Sequence, residues 1–245
     1  MLLKDKVAVI TGAGRGIGRE TAIDFAKEGA NLVLVSRTTS DLETLVKETE
    51  KFNIRAIAIA ADVTKTEDVK KIFDTTLKKF NKLDILVSNA GIHLRKSIPE
   101  TSLEEWENML ITNLTSTFLC CKEAAKIMIA ANYGKIIIVS SESGTKGSAF
   151  QGAYCTTKFG QLGFMEVLAD ELKDYNINVN AVLPSATNTK LLRDSYPEVN
   201  HGLLIKPEQI ATVITFMASE KSNAIKGASV PVYNAQNLKP NLFNV

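Results

Sequence analysis

A tyrosine and a lysine separated by three small residues stand at 154–158, in the sequence YCTTK. In a helix, residues four apart lie on one face, so the phenol of Tyr154 and the ammonium of Lys158 would be neighbours. An ammonium favours the phenolate and lowers the pKa of a phenol from about 10. Such a pair can exchange a proton with a reacting oxygen. The alternative interpretation is a buried tyrosine beside a surface lysine, since both are common on helix faces.

The elements that would position this pair alternate regularly along the chain. Most of the short β-rich runs are continuously apolar, which is typical of parallel strands covered by helices on both faces. The predicted fold class is therefore α/β, a Rossmann-type doubly wound parallel sheet of about seven strands. The predicted strands are 6–11, 31–36, 55–62, 83–89, 135–141, 177–184 and 228–233, and the predicted helices are 17–29, 39–52, 66–80, 102–131, 155–174 and 207–219.

Composition limits the functional classes. A chain of 245 residues with 45% hydrophobic residues and a net charge of +2 predicts one domain over 1–245, with no basic stripe for nucleic acid. The three cysteines, an odd number, indicate a reducing, cytoplasmic location. The first apolar run is too short for a signal peptide or a membrane span, so we expect a soluble protein. The two histidines are far apart in sequence, and no metal site is expected.

A glycine-rich turn follows the first predicted strand. The sequence TGAGRGIGRE at 11–20 opens the first predicted helix. Glycines let the backbone approach a pyrophosphate, and a helix N-terminus offers unpaired N–H groups to it. The spacing does not match a G-x-x-x-x-G-K-[ST] phosphate loop, which argues against a kinase or NTPase. The residues expected to bind a dinucleotide here are Gly12, Arg15, Gly16, Ile17 and Gly18.

The end of the second strand indicates which dinucleotide is bound. An acidic side chain there bonds the ribose 2′-hydroxyl of NAD, whereas an arginine accommodates the 2′-phosphate of NADP. Here Ser36 and Arg37 end the strand, no acidic residue follows before Asp41, and Arg15 stands inside the glycine turn. Because arginine binds phosphate well, NADP(H) is the expected cofactor and NAD(H) the alternative. Solvated surface arginines would give the same pattern.

Six features in order resemble the classical short-chain dehydrogenases/reductases. They are TGAGRGIG at 11–18, DV at 62–63, SNAG at 88–91, Asn113, Ser141 and YCTTK at 154–158. The separation of 13 residues from Ser141 to Tyr154 matches the family, and the resemblance covers nearly the whole chain. It implies an NADP(H)-dependent oxidoreductase of a carbonyl or secondary alcohol, with 3-oxoacyl thioesters as the first substrate candidate. The alternatives are a nucleotide-sugar epimerase or dehydratase, and a non-catalytic dinucleotide-binding protein.

The resemblance also implies roles for individual residues. Tyr154 would be the proton donor, Lys158 would lower its pKa and bind the nicotinamide ribose, and Ser141 would donate to the substrate oxygen. Asn113 would hold a water in a proton relay to Lys158. The remaining cofactor contacts implied are Asp62, Val63, Asn89, Ala90, Gly91, Pro184, Thr187 and Thr189, together with Tyr154 and Lys158.

Two departures from the family's pattern accompany these matches. Ser185 replaces the glycine of a common Pro-Gly, which predicts a shifted loop with φ below zero. The sequence VPVYNAQNLKP at 230–240 replaces Val-Asp-Gly-Gly, so the expected homo-oligomer could be a dimer or a tetramer.

The segment between Pro184 and Pro207 is short. A small substrate lid is therefore expected at about 185–206, over a mostly apolar pocket with few orienting polar groups. The residues expected to line this pocket are His93, Leu94, Phe150, Gln151, Leu191, Leu192, Tyr196 and Leu203. Asn132 and Tyr175 stand where relatives that use acyl carrier protein often have arginines, so no gain from a carrier protein is expected.

Overall fold

Seven parallel strands form one sheet in the order β3-β2-β1-β4-β5-β6-β7. A computed structural model describes residues 1–233 of the chain. The predicted fold class is confirmed. Of the sequence 230–240, which departs from the family's pattern, residues 234–240 lie outside the described part. The strands are β1 Val7–Thr11, β2 Asn31–Ser36, β3 Ala56–Ala60, β4 Ile85–Ser88, β5 Gly134–Val139, β6 Ile177–Pro184 and β7 Ser229–Val232.

Helices cover both faces of the sheet. One apolar cluster packs α3, α5 and α6 against one face, through residues such as Ile72 and Met165. A second cluster packs α1, α2 and α8 against the other, through residues such as Phe25 and Ile214. This double burial is why the strands read as continuously apolar. The helices are α1 Gly16–Lys27, α2 Thr39–Glu50, α3 Thr66–Phe80, α4 Leu103–Met109, α5 Ser116–Ala131, α6 Gly152–Glu171, α7 Lys190–Ser195 and α8 Pro207–Ala218.

The predicted long helix over 102–131 is interrupted. Ser102 caps its start in a reciprocal capping box with Glu105, as the acidic first turn suggests. Residues Leu110–Thr115 then form a π-helical turn between α4 and α5. Such a turn is too local to appear in the hydrophobic period, and π-turns inside helices are frequent at functional sites. Asn113 lies inside it.

Three further differences from the sequence prediction lie near the cleft. Strand β5 ends at Val139, so Ser141 lies in the loop after the strand and not at its end. Helix α6 begins at Gly152, which places Tyr154 in its first turn. The short helix α7 was not predicted, because it contains only 6 residues. The Thr189 side chain caps its start. Within residues 1–233, every helix is too short or too polar to cross a bilayer.

Candidate active site

A cleft opens at the carboxyl ends of the strands, where β1 and β4 lie side by side and the chain winds outward in both directions. This switch point is the usual ligand site of a doubly wound sheet. The sequence predicts seventeen cofactor residues and two further catalytic residues, Asn113 and Ser141. Those that line the cleft are Gly12, Arg15, Gly16, Ile17, Ser36, Arg37, Asp62, Val63, Asn89, Ala90, Gly91, Ser141, Tyr154, Lys158, Pro184, Thr187 and Thr189. Gly18 and Asn113 lie behind its wall.

The glycine turn is held against the end of β4. The Asn89 side chain donates to the carbonyl oxygens of Thr11 (2.9 Å) and Gly12 (3.3 Å), and the Thr11 hydroxyl accepts from the backbone N–H groups of Asn89 and Ala90. A Cβ on Gly12 would lie 2.9 Å from the Asn89 amide, and φ of Gly12 is +65°. Both observations require glycine here.

Gly18 acts from behind this turn. A Cβ at this position would collide with the Gly12 carbonyl, so the absence of a side chain lets α1 pack against the turn. Among the described residues, no side chain caps the first turn of α1. Its N–H groups therefore remain available to an anion, and the turn and helix fit a dinucleotide pyrophosphate.

Both predicted arginines reach the adenosine end of the cleft, and each lies near a carboxylate. Arg15 is 63% exposed and forms an ion pair with Asp41 at 3.5 Å. Arg37 is exposed, and its charge acts on Asp62. Burial would raise the pKa of Asp62, but the hydrogen bonds from Thr64 and the charge of Arg37 outweigh it, and the pKa is lowered. The sequence analysis missed Asp41 as a cleft residue, although it stands in the first turn of α2.

Tyr154 and Lys158 are neighbours on α6, as the spacing predicts. The Lys158 Nζ lies 5.6 Å from the centre of the Tyr154 ring. Burial dominates both groups: it raises the pKa of Tyr154 to about 12 and lowers that of Lys158 to about 7. A hydrogen bond with the Ser141 hydroxyl lowers the Tyr154 pKa, and burial outweighs that bond. That Lys158 lowers the same pKa stays a prediction.

Lys158 is joined to Asn113 through a residue that the sequence analysis missed. The Lys158 Nζ donates to the Val139 carbonyl (3.1 Å) and to Gln161 Oε1 (3.0 Å). The Gln161 amide in turn donates to the Asn113 carbonyl (2.8 Å) and to the Thr117 hydroxyl (2.9 Å). Gln161 therefore links Lys158 to the Asn113 carbonyl, and the water relay that the resemblance implies between these residues stays a prediction. The available signal was a second polar residue three positions after Lys158, on the same helix face.

The Asn113 side chain fixes the loop that follows β4. Its Oδ1 accepts from the Ile92 N–H (2.8 Å), and its Nδ2 donates to the Ile92 carbonyl (3.0 Å). Nδ2 also lies 3.2 Å from the Thr157 hydroxyl. Asn113 is fully buried, and its side chain contacts this loop and α6.

The substrate end of the cleft is more polar than predicted. Gln151 Nε2 donates to the Tyr196 hydroxyl (2.8 Å), and the Ser143 hydroxyl donates to Gln151 Oε1 (3.2 Å). The His93 ring stacks edge-on against Tyr154 with centroids 4.6 Å apart. Burial lowers the pKa of His93 to about 4, so this imidazole is neutral at neutral pH. Of the other predicted pocket residues, Leu191 and Leu192 line the cleft, whereas Leu94, Phe150 and Leu203 do not.

The chain is similar to known proteins in sequence and in fold. Residues 6–200 match the family model described as short chain dehydrogenase. A 3-oxoacyl-[acyl-carrier-protein] reductase of Synechocystis is 34% identical over 231 residues, covering 91% of this chain and 92% of that protein. A protein of Aquifex aeolicus named 3-oxoacyl-[acyl-carrier-protein] reductase FabG is 33% identical over 239 residues, covering 94% and 96%. The chain belongs to the short chain dehydrogenase family.

A solved structure agrees with this membership. The crystal structure of levodione reductase matches with a TM-score of 0.92 at 26% identity, over 96% of this chain and 99% of that chain. As a short chain dehydrogenase, the protein is an oxidoreductase that interconverts carbonyl and alcohol groups with a nicotinamide cofactor. The oxidoreductase class predicted from the sequence is thereby confirmed.

The family's Pro-Gly position shows how this short chain dehydrogenase accommodates a serine. Ser185 has no positive φ, its N–H donates to the Val232 carbonyl (3.0 Å), and its carbonyl accepts from the Thr187 hydroxyl (2.8 Å). The loop therefore keeps backbone hydrogen bonds on both sides of the substitution. Thr189 is also engaged within the chain, because its hydroxyl caps α7 at the Leu192 N–H (3.3 Å).

Proposed function

We propose that the protein is an NADPH-dependent ketone reductase in which Tyr154 protonates the carbonyl oxygen. The observation that carries this proposal is the burial of the Tyr154 phenol in the cleft, beside Ser141 and Lys158. The Tyr154 phenol is protonated at neutral pH, so it carries the proton that the carbonyl oxygen would take up. Ser141, 8% exposed at the cleft wall, would donate a hydrogen bond to the same oxygen.

Other residues of the chain would bind the cofactor and stabilise the charge that develops on Tyr154. When bound, reduced nicotinamide supplies a hydride to the carbonyl carbon. Lys158 would hold the nicotinamide ribose and place positive charge near the developing phenolate. Asn89, Ala90 and Gly91 would hold the cofactor beside the glycine turn, and Asp62 and Val63 would flank its adenine. Arg15 and Arg37 would contact the 2′-phosphate, which supports NADP(H) over NAD(H).

Further properties follow as parts of the same proposal. The whole chain, 1–245, would be one domain, with residues 185–206 as its substrate lid. All three cysteines are free and buried, which supports a cytoplasmic location. Phe118 on α5 and Phe159 and Val167 on α6 are large, apolar and at least 44% exposed, which supports a homo-oligomer.

The substrate is a ketone, and the names of the two relatives favour 3-oxoacyl thioesters. We expect thioesters in free or coenzyme A form to react without a marked gain from acyl carrier protein. Asn132 and Tyr175 stand at the places where carrier-using relatives often have arginines, and both are uncharged. The Asn132 side chain accepts from the Asn176 N–H (3.2 Å), so it is engaged within the chain.

Tyr154→Phe tests the proposed chemistry. The variant removes the proton donor and keeps the ring, so kcat for a ketone should fall by a factor of about 10² or more while NADPH still binds. Turnover is followed by NADPH absorbance, and binding by NADPH fluorescence. Tyr175→Phe, outside the cleft, is the matched control and should change neither quantity. A Tyr154→Phe enzyme with unchanged kcat would make the tyrosine a packing residue.

A further inference from the structure

A carboxyl group stands in the cleft wall that the proposed chemistry does not use. Glu142 follows Ser141 directly, in a short 3-10 turn over Glu142–Gly144, and lines the cleft. Its Oε1 accepts a hydrogen bond from the Ser185 hydroxyl at 2.9 Å. Ser185 follows β6, so the carboxyl is held between the ends of two neighbouring strands. The glycine that the family commonly has at position 185 could not make this bond.

The Glu142 carboxyl lies close enough to Tyr154 to act on it. Its negative charge contributes to the raised pKa of the Tyr154 phenol. Burial raises the pKa of Glu142 itself, and this effect outweighs the Ser185 hydrogen bond and the charge of Lys146. A group that is shielded from solvent and whose charge acts on the phenol lies on the inner side of the cleft wall. It is therefore near any molecule that reacts at Tyr154.

The hydrogen-bonding capacity of this carboxyl is largely unused inside the chain. A carboxylate has about four acceptor sites, and within residues 1–233 the bond from Ser185 is the one hydrogen bond that the Glu142 carboxylate accepts. Lys146 acts on the carboxylate through its charge. Oε2 is not fully buried and remains in reach of water, so a bound molecule that donates a hydrogen bond to it would take the place of that water.

We propose that Glu142 is a specificity-determining residue that accepts a hydrogen bond from a hydroxyl group of the substrate, which ranks hydroxy ketones above ketones that lack a donor, 3-oxoacyl thioesters among them. The proposal rests on the proposed ketone reductase function and adds the chemistry of the substrate's second group. Ser185 is a positioning residue, because it occupies Oε1 and fixes the direction of Oε2. An alkyl group laid against the same wall would bury the carboxyl without a donor.

Matched substrates and three variants test this proposal. The probes are hydroxyacetone against methoxyacetone, and diacetone alcohol against its methyl ether, so each pair differs in the donor. The unaltered enzyme should prefer the hydroxy ketone of at least one pair about tenfold in kcat/KM, mainly through KM. Glu142→Val should abolish this preference, and Glu142→Gln, which keeps one acceptor, should retain part of it. Ser185→Gly keeps the carboxyl and should weaken the preference.

A binding measurement separates this proposal from the proposed function. Calorimetric titration of the ketones into enzyme saturated with NADP⁺ requires no turnover. Tighter binding of the hydroxy ketone, lost in Glu142→Val, supports the Glu142 proposal even if no ketone is reduced. The absence of ketone reduction would overturn the ketone reductase function instead. Equal binding of both members of each pair overturns the Glu142 proposal alone. If Glu142→Val weakens NADPH itself and leaves the ketone preference unchanged, the carboxyl holds the cofactor and the proposal is wrong.

Discussion

The preference for NADPH over NADH depends on two arginines whose surroundings set its size. Arg37→Asp replaces the charge that would meet the 2′-phosphate with one that repels it. The new carboxylate can instead accept a hydrogen bond from the ribose 2′-hydroxyl of NADH. We therefore expect the variant to bind NADH more tightly than NADPH, the reverse of the unaltered protein.

The magnitude follows from exposure and from the neighbouring carboxylates. A hydrogen bond to a charged group contributes about 1.5–3 kcal/mol. Arg15 is 63% exposed and already paired with Asp41, and exposed pairs contribute about 0–1 kcal/mol. Arg37 is exposed as well. The lower value, about 1.5 kcal/mol, is therefore expected for the unaltered protein, which is about a tenfold preference for NADPH. Asp41→Asn should raise it, because Arg15 then lacks a competing partner.

Dissociation constants of NADPH and NADH, measured by fluorescence titration, give this ratio directly. Arg55→Asp makes the same charge change outside the cleft and should leave the ratio unchanged. Added salt should reduce the preference, because exposed charges are screened. Equal affinities in the unaltered protein, or an unchanged ratio in Arg37→Asp, would refute the assignment of these arginines to the 2′-phosphate.

Two further predictions concern buried groups. Gln161→Leu removes one of the two acceptors of the Lys158 ammonium, so the free energy of unfolding should fall by about 1–3 kcal/mol; an unchanged chemical denaturation midpoint would contradict this. Glu142→Gln removes a negative charge that raises the Tyr154 pKa. Alcohol oxidation needs the deprotonated phenol and so rises with pH. The rise in kcat/KM should move to lower pH in this variant, and a shift to higher pH would count against the contact.

The strands and most helices could be predicted because each type of element has its own pattern of apolar residues along the sequence. Strand β2, Asn31–Ser36, and helix α3, Thr66–Phe80, lie where the sequence places them. Their boundaries coincide with changes in local composition, and buried parallel strands carry a strong apolar signal. The same reasoning could not find the π turn at Leu110–Thr115, which changes the hydrogen-bond partners without changing the residue types.

The site divides in a similar way. The positions of Tyr154 and Lys158 follow from helix spacing, so their contact could be predicted. Their pKa shifts could not, because burial depends on residues that are distant in the chain. Gln161 and Glu142 were missed for the same reason, because their hydrogen-bond partners are distant in the sequence. Gln161 donates to the Asn113 carbonyl, and Glu142 accepts from the Ser185 hydroxyl.

The π turn makes the site sensitive to chain length as well as to residue identity. In an α-helix each residue turns the next by about 100°. Deleting one residue from Leu110–Thr115 would let α4 and α5 join as a regular helix, and would rotate the positions on either side relative to each other. Asn113 would then lose its hydrogen bonds with Ile92, or the buried face of α5 would lose its contact with the sheet. This segment should therefore tolerate many substitutions on its exposed side, yet no deletion.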